Sequence, residues 1–149
     1  MKTLLRLFVV MTAVTVASGV SARSAEAQRP GWGVGFRGHE GEYGFELRKD
    51  VWLGGDVSQV TTQLGMLFPR GGAWVTADAD YHFVLSSGSG RFYPLVGLGI
   101  KTDFDAFKFG LNAGGGLNFM LTESLAAFAE LKYVIGGWDG FGFVIGAYF

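Results

Sequence analysis

The sequence predicts an all-β chain: an eight-stranded, up-and-down antiparallel barrel that crosses a membrane and packs polar side chains in its interior. Three observations carry this expectation. Apolar residues alternate with polar or small ones through nearly all of the chain after Pro30, the pattern of strands with two unlike faces. The last strand keeps an apolar face, Phe141, Phe143, Ile145, Ala147 and Phe149, up to the terminal residue, where soluble domains usually carry a few polar, poorly ordered residues. The first residues read as an export signal.

That signal comes first in the chain. Lys2 and Arg6 precede an apolar stretch from Leu7 to about Val16, and small residues lead to Ala25-Glu26-Ala27 before Gln28. Positive, apolar and small-residue regions in this order predict a cleaved signal over 1–27, with Val20-Ser21-Ala22 as a second cleavage site. A membrane anchor needs roughly 20 apolar residues, and Ser18, Ser21 and Arg23 interrupt too soon. The expected barrel domain is then 28–149.

Turn residues divide that domain into eight strands. The first, about Gly31 to Gly38, opposes Trp32, Val34 and Phe36 to Gly33, Gly35 and Arg37, and His39-Glu40-Gly41 reverses it. The second, about Glu42 to Leu53, opposes Tyr43, Phe45 and Leu47 to Gly44, Glu46 and Arg48, before Gly54-Gly55-Asp56. The third, about Val57 to Phe68, has Val60, Leu64, Met66 and Phe68 against Gln59, Thr61, Gln63 and Gly65, and Pro69 to Gly72 ends pairing. The fourth sets Ala73, Val75, Ala77, Ala79, Tyr81, Phe83 and Leu85 against Trp74, Thr76, Asp78, Asp80 and His82, with a turn over Ser86 to Gly90.

The fifth, about Arg91 to Thr102, opposes Val96, Leu98 and Ile100 to Gly97, Gly99 and Lys101, with Pro94 near its start, where a missing N–H is tolerated. After Asp103 to Ala106, the sixth sets Phe107, Phe109, Leu111, Leu117 and Phe119 against Lys108, Asn112 and Asn118. Leu121 to Glu123 turns into the seventh, with Leu125, Leu131, Tyr133 and Ile135 against Phe128, Glu130 and Lys132. Gly136 to Gly140 leads to the last strand.

Alternation alone does not say which face meets water. The alternative is a secreted soluble barrel or sandwich that buries the apolar face as its core and binds a small apolar ligand there. Three features favour lipid. The apolar face carries more bulk than an eight-stranded barrel can hold inside. The other face is dominated by Gly, Asn, Thr and Gln with a few charges, whereas soluble surfaces carry roughly a quarter to a third charged residues. Aromatic residues recur near strand ends, as in the girdles of membrane barrels.

The motifs Tyr81-His82-Phe83, Phe92 to Gly99, Gly114 to Phe119 and the terminal Gly146-Ala147-Tyr148-Phe149 resemble the small outer-membrane β-barrel family of the OmpA/OmpX type. The resemblance spans essentially the whole mature chain. It implies a bacterial outer-membrane barrel among lipid and lipopolysaccharide, delivered by periplasmic chaperones, with Phe149 read by the barrel-assembly machinery. It implies no particular activity.

With the apolar face outward, Arg37, Glu46, Arg48, Asp78, Asp80, His82, Lys101, Lys108, Glu130 and Lys132 fall inside and are expected to form one ion network, because unpaired charge in a narrow lumen is costly. Hairpin registers set Glu46 near Gly35, Arg48 near Gly33 and Asp78 near Gly97. Lys101 and Lys108 become neighbours, which calls for a carboxylate reaching both; Glu130 or Asp80 is expected to supply it. Wide channels need about sixteen strands, so at most a narrow pore is expected.

Other chemistry finds little support. Net charge is −1 and cysteine is absent, which gives no case for nucleic acid and removes thiolate metal sites, disulfides and thiol catalysis. No cofactor is expected. Asp78 with Asp80, or Asp103 with Asp105, offers too few oxygens for calcium. A lipid-modifying enzyme would need a serine beside His39 or His82, and no such pair is visible. Short outer turns weaken an adhesin reading. The expectation is a monomeric, non-enzymatic barrel with a structural or interaction role.

Overall fold

The computed structural model describes residues 31–52, 57–87 and 90–149. The export signal and both cleavage sites lie outside the described residues. Nine strand segments follow one another: β1 (Trp32–His39), β2 (Glu42–Trp52), β3 (Ser58–Phe68), β4 (Trp74–Phe83), β5 (Leu85–Ser87), β6 (Gly90–Thr102), β7 (Phe107–Thr122), β8 (Leu125–Gly136) and β9 (Gly140–Tyr148). Each pairs antiparallel with its chain neighbours, except that β4 and β5 lie end to end on β6. β1 also pairs with β9, so the sheet closes on itself as an eight-stranded barrel without a free edge.

Local chemistry sets the first hairpin. Glu40 and Gly41 both take positive φ, 46° and 85°, the type I′ turn whose twist matches the strands it joins. Register therefore runs Gly33↔Arg48 and Gly35↔Glu46, as the sequence predicts. Glycine is needed at 33 because a Cβ there would lie 2.8 Å from both the Arg48 side chain and the Tyr148 ring. Gly33→Val is expected to push both inward groups aside and cost about 1–3 kcal/mol by overpacking, read as a lower urea midpoint of the folded barrel.

The fourth hairpin differs from expectation in three ways. Val84 interrupts the strand, its amide bonding to the Val57 carbonyl at 2.9 Å. Leu85, expected on the outward face, is 3% exposed, because the interruption ends the simple alternation. Pairing continues to Ser87↔Gly90, so the reversal comes later than the sequence suggests and Asp78 faces Gly99, while Asp80 faces Gly97.

The faces are the informative result. Phe109, Leu111, Leu117 and Phe119 all point outward, at 66%, 56%, 41% and 47% exposure. The inward partners on the same strand, Asn112 and Asn118, are buried. Aromatic side chains ring both ends of this outward surface: Tyr43, Phe68, Phe107 and Phe141 near one, Trp32, Tyr81, Phe83 and Phe119 near the other. A soluble barrel or sandwich with an apolar core is therefore not what this chain forms.

Candidate functional site: a polar lumen closed at both ends

Because side chains alternate across a strand, every second residue of the closed sheet points to the axis. Arg37 comes from β1, Glu46, Arg48 and Asp50 from β2, Thr61 and Gln63 from β3, Asp78, Asp80 and His82 from β4, and Glu130 and Lys132 from β8. All are buried.

Arg48 organises one half of the lumen. Its Nε donates to Glu46 Oε1 at 2.7 Å and its Nη1 to Glu130 Oε2 at 2.9 Å, while Nη2 also donates to Glu46. The guanidinium lies 4.0 Å from the centroid of the Phe128 ring, a favourable place for a desolvated cation. Tyr93 donates to Glu130 at 3.1 Å and Tyr148 to Asp50 at 3.0 Å. Thr61 donates to the same Asp50 oxygen at 2.8 Å.

Lys132 organises the other half. Its Nζ donates to Asp80 Oδ2 and Gln63 Oε1, both at 2.9 Å. Asn112 bridges the two aspartates, 2.7 Å to Asp80 and 3.1 Å to Asp78. Arg37 Nη1 donates to Thr76 at 2.6 Å and Asp78 at 3.1 Å, and lies 3.6 Å from Glu46. Arg37 thus joins the two halves into a single network. Bidentate and charge-assisted bonds of this kind are what allow ionised groups to remain without bulk water.

Lys101 and Lys108 stand apart from this network. They face each other across the β6–β7 hairpin, but neither Glu130 nor Asp80 supplies the expected carboxylate. Lys101 pairs with Glu42, and its Nζ lies over the Trp74 and Trp138 rings at 5.1 and 5.6 Å. Lys108 Nζ lies over Trp74 at 4.8 Å. The cause is depth along the barrel. Both lysines sit at the ends of β6 and β7 next to the 103–106 turn, whereas Glu130 faces Gly116 and Asp80 faces Gly97, several rungs away.

Apolar side chains close both mouths, which the sequence reading did not single out. At the end bearing the 39–42 and 136–140 turns, Leu67, Val134 and Trp138 pack together with Trp74, and the His39 ring meets Trp138 at 4.8 Å. At the other end Ala126, Phe128, Val144 and Tyr148 form one cluster and Val84, Tyr93 and Leu95 another. Their inward parity was visible in the strands; their plugging role depends on which side chains meet across the axis. Trp138 belongs to a turn, where no periodicity announces its direction.

Neither histidine meets a serine hydroxyl among the described residues. His82 is held by Gln59 and Thr61, 3.2 and 3.3 Å from its Nδ1, and stacks on Tyr93 with centroids 4.3 Å apart. The Ser86 and Ser87 side chains lie outside what is described. No group of three or more metal-ligating side chains occurs among the described residues. Asp103 instead caps its own turn, accepting from the Asp105 and Ala106 amides at 3.2 and 2.9 Å.

No family model matches the sequence, and no curated protein is similar to it. Solved structures are. The N-terminal β-barrel domain of Pseudomonas aeruginosa OprF superposes with a TM-score of 0.61 at 21% identity, covering 83% of this chain and 97% of that one. Ail, the attachment invasion locus protein of Yersinia pestis, gives 0.53 at 17%, with 80% and 93% covered. Neisserial surface protein A gives 0.52 at 12%, with 80% and 91% covered. At these identities the likeness concerns the fold: this chain has the architecture of the small outer-membrane β-barrels of the OmpA/OmpX type.

Proposed function

We propose that this protein is an integral, monomeric barrel of a bacterial outer membrane that stabilises the envelope and contacts lipid and neighbouring proteins, and that it catalyses no reaction. The observation that carries this reading is the inverted polarity, with phenylalanine and leucine outside and an ion network within. Soluble monomers rarely expose a contiguous apolar patch beyond a few hundred Å², whereas this outward surface is apolar right around the ring. A hydrocarbon layer removes the cost of that exposure, and a closed sheet leaves no backbone group unpaired within it.

Export through a cleaved signal, delivery by periplasmic chaperones and recognition of Phe149 by the barrel-assembly machinery complete the reading. Their support is the sequence and the fold. With the start of β1 and the end of β9 on the periplasmic side, the four short turns 40–41, 69–73, 103–106 and 137–139 face the exterior. They leave little surface for adhesion, which favours a structural role over that of a receptor. The closed mouths and filled axis favour a barrel that does not pass solutes.

Heat-modifiable gel migration tests the membrane reading. The protein extracted in detergent is expected to run as a compact band unheated and as a slower band after boiling. Clean solubility in buffer without detergent contradicts it. Planar-bilayer recording tests the closed lumen. No steady conductance is expected from the natural chain, and Trp138→Ala, which opens one mouth, is not expected to create a wide channel because Arg37, Lys132 and Asp80 still fill the axis.

A further inference from the structure

A hinged strap closes the outer mouth. The 137–139 turn is bracketed by Gly136 and Gly140, whose φ values of 133° and 152° are open to glycine and rarely to other residues. Between them Trp138 is buried against Leu67 and Val134. Hydrogen bonds pin both ends of the strap. Gly137 donates to the Phe109 carbonyl at 2.8 Å, Asp139 accepts from the Gly136 amide, and Glu40 accepts from the Phe141 amide at 2.8 Å.

His39, the last residue of β1, is what the strap closes against. Its ring packs on Gly142, where a Cβ would lie 3.4 Å from Cδ2, and meets the Trp138 ring at 4.8 Å. The imidazole is buried, and among the described residues neither its Nε2 nor Trp138 Nε1 has a hydrogen-bond partner. Burial opposes a positive charge on this ring, as do Lys101 and Arg37, whereas Glu40 and Glu42 favour one. Lys108, over Trp74, and Asp139, on the Gly136 amide, add one charge of each sign at this mouth, and the facing residue of β9, Gly142, adds none. Both acids beside His39 are committed, Glu42 to Lys101 and Glu40 to the Phe141 amide. A proton on His39 therefore either stays unpaired in a buried place, which is costly, or draws away a carboxylate that holds the mouth.

We propose that His39 is a proton-operated latch: while its ring is neutral the Trp138 strap lies closed, and when the ring is charged the strap swings outward and bares the Trp138 indole to the exterior, an orientation that rests on the membrane-barrel reading. In the open strap the imidazole reaches water and binds the proton more readily, so acid favours opening. The ratio of open to closed barrels changes by at most about tenfold per pH unit, the limit for a single proton. Deeper in, Arg37, Lys132 and Asp80 still fill the axis. The device reshapes the exterior face and opens no channel.

Fluorine NMR of barrels labelled with 5-fluorotryptophan, in detergent micelles between about pH 8 and about pH 5, tests this, the Trp138 signal being identified by its loss in Trp138→Phe. As the pH falls that signal is expected to move and to become broadened by a water-soluble nickel complex, while the Trp32 signal at the opposite end keeps its position. His39→Gln and His39→Asn, neutral throughout, are each expected to hold the Trp138 signal still. His39→Arg is expected to show the open signal even at about pH 8, and His82→Gln, deep in the lumen, to leave the response intact. A Trp138 signal that ignores pH in the unaltered chain overturns the proposal. So does a response that survives both neutral substitutions, or one lost with His82→Gln in a barrel that still folds. Heat-modifiable migration is measured on each variant: its persistence beside an unmoved Trp138 signal defeats the latch alone, and its absence from the unaltered chain defeats the membrane reading as well.

Discussion

Replacing Arg48 with alanine is expected to destabilise the folded barrel by about 3–5 kcal/mol, the usual cost of removing one partner from a buried ion pair. The side chain is completely buried and holds two carboxylates, Glu46 and Glu130, while covering the Phe128 ring. Without it Glu46 keeps only Arg37, at 3.6 Å, and Glu130 keeps only the Tyr93 hydroxyl, at 3.1 Å, among the partners described. The penalty is chiefly the uncompensated negative charge. Glu130→Gln in the Arg48→Ala background is therefore expected to recover part of the loss, whereas Glu130→Gln alone destabilises. Urea titrations of the barrel in vesicles, followed by tryptophan fluorescence, give all four corners of that cycle. Additive effects of the two substitutions would mean that the pair is not coupled as the geometry requires.

The second large effect concerns the outer surface. Leu131 lies near the middle of β8, 57% exposed, beside Gly115 and Phe143. Leu131→Arg is expected to cost about 2–4 kcal/mol, because a guanidinium at mid-depth meets hydrocarbon. Phe68→Arg, at the end of β3, is expected to cost about 0–1 kcal/mol for its charge, since the headgroup layer is within reach. The gradient with depth is diagnostic. On a surface that meets water, arginine at 131 would be neutral or would improve solubility, and the two positions would not differ in this direction. Refolding yields and urea midpoints in vesicles of a single composition measure it.

Most of the architecture was legible because period-two alternation and turn chemistry are local. Glu40-Gly41 dictates a tight turn, and from it the pairing of Arg48 with Gly33 follows by counting. The fourth hairpin departs from its expected register because the small polar residues from Ser86 to Gly90 permit several reversals, and each displacement of the turn moves every partner. The inward parity of Arg37, Arg48, Asp80 and Lys132 was equally readable. Which acid meets which base was not, as the case of Lys101 illustrates. Its partner Glu42 lies on β2, across the axis, and only the stagger of the closed ring sets the two at one depth. The caps escaped for a related reason. Tyr93, Leu95 and Phe128 look like ordinary strand residues until the closed ring buries each in an inward apolar cluster, Tyr93 and Leu95 with Val84 and Phe128 with Val144 and Tyr148.

The central claim is that adjacent residues of one strand occupy opposite media, and the absence of cysteine from the chain makes this directly measurable. Single substitutions Leu111→Cys and Asn112→Cys, each carrying a nitroxide label in barrels reconstituted into vesicles, can be compared by collision with oxygen, which concentrates in lipid, and with a water-soluble nickel complex. The account predicts strong oxygen and weak nickel relaxation at 111, and weak relaxation by both at 112, inside the filled lumen. Nickel dominating at 111, with oxygen no better there than at 112, would contradict it.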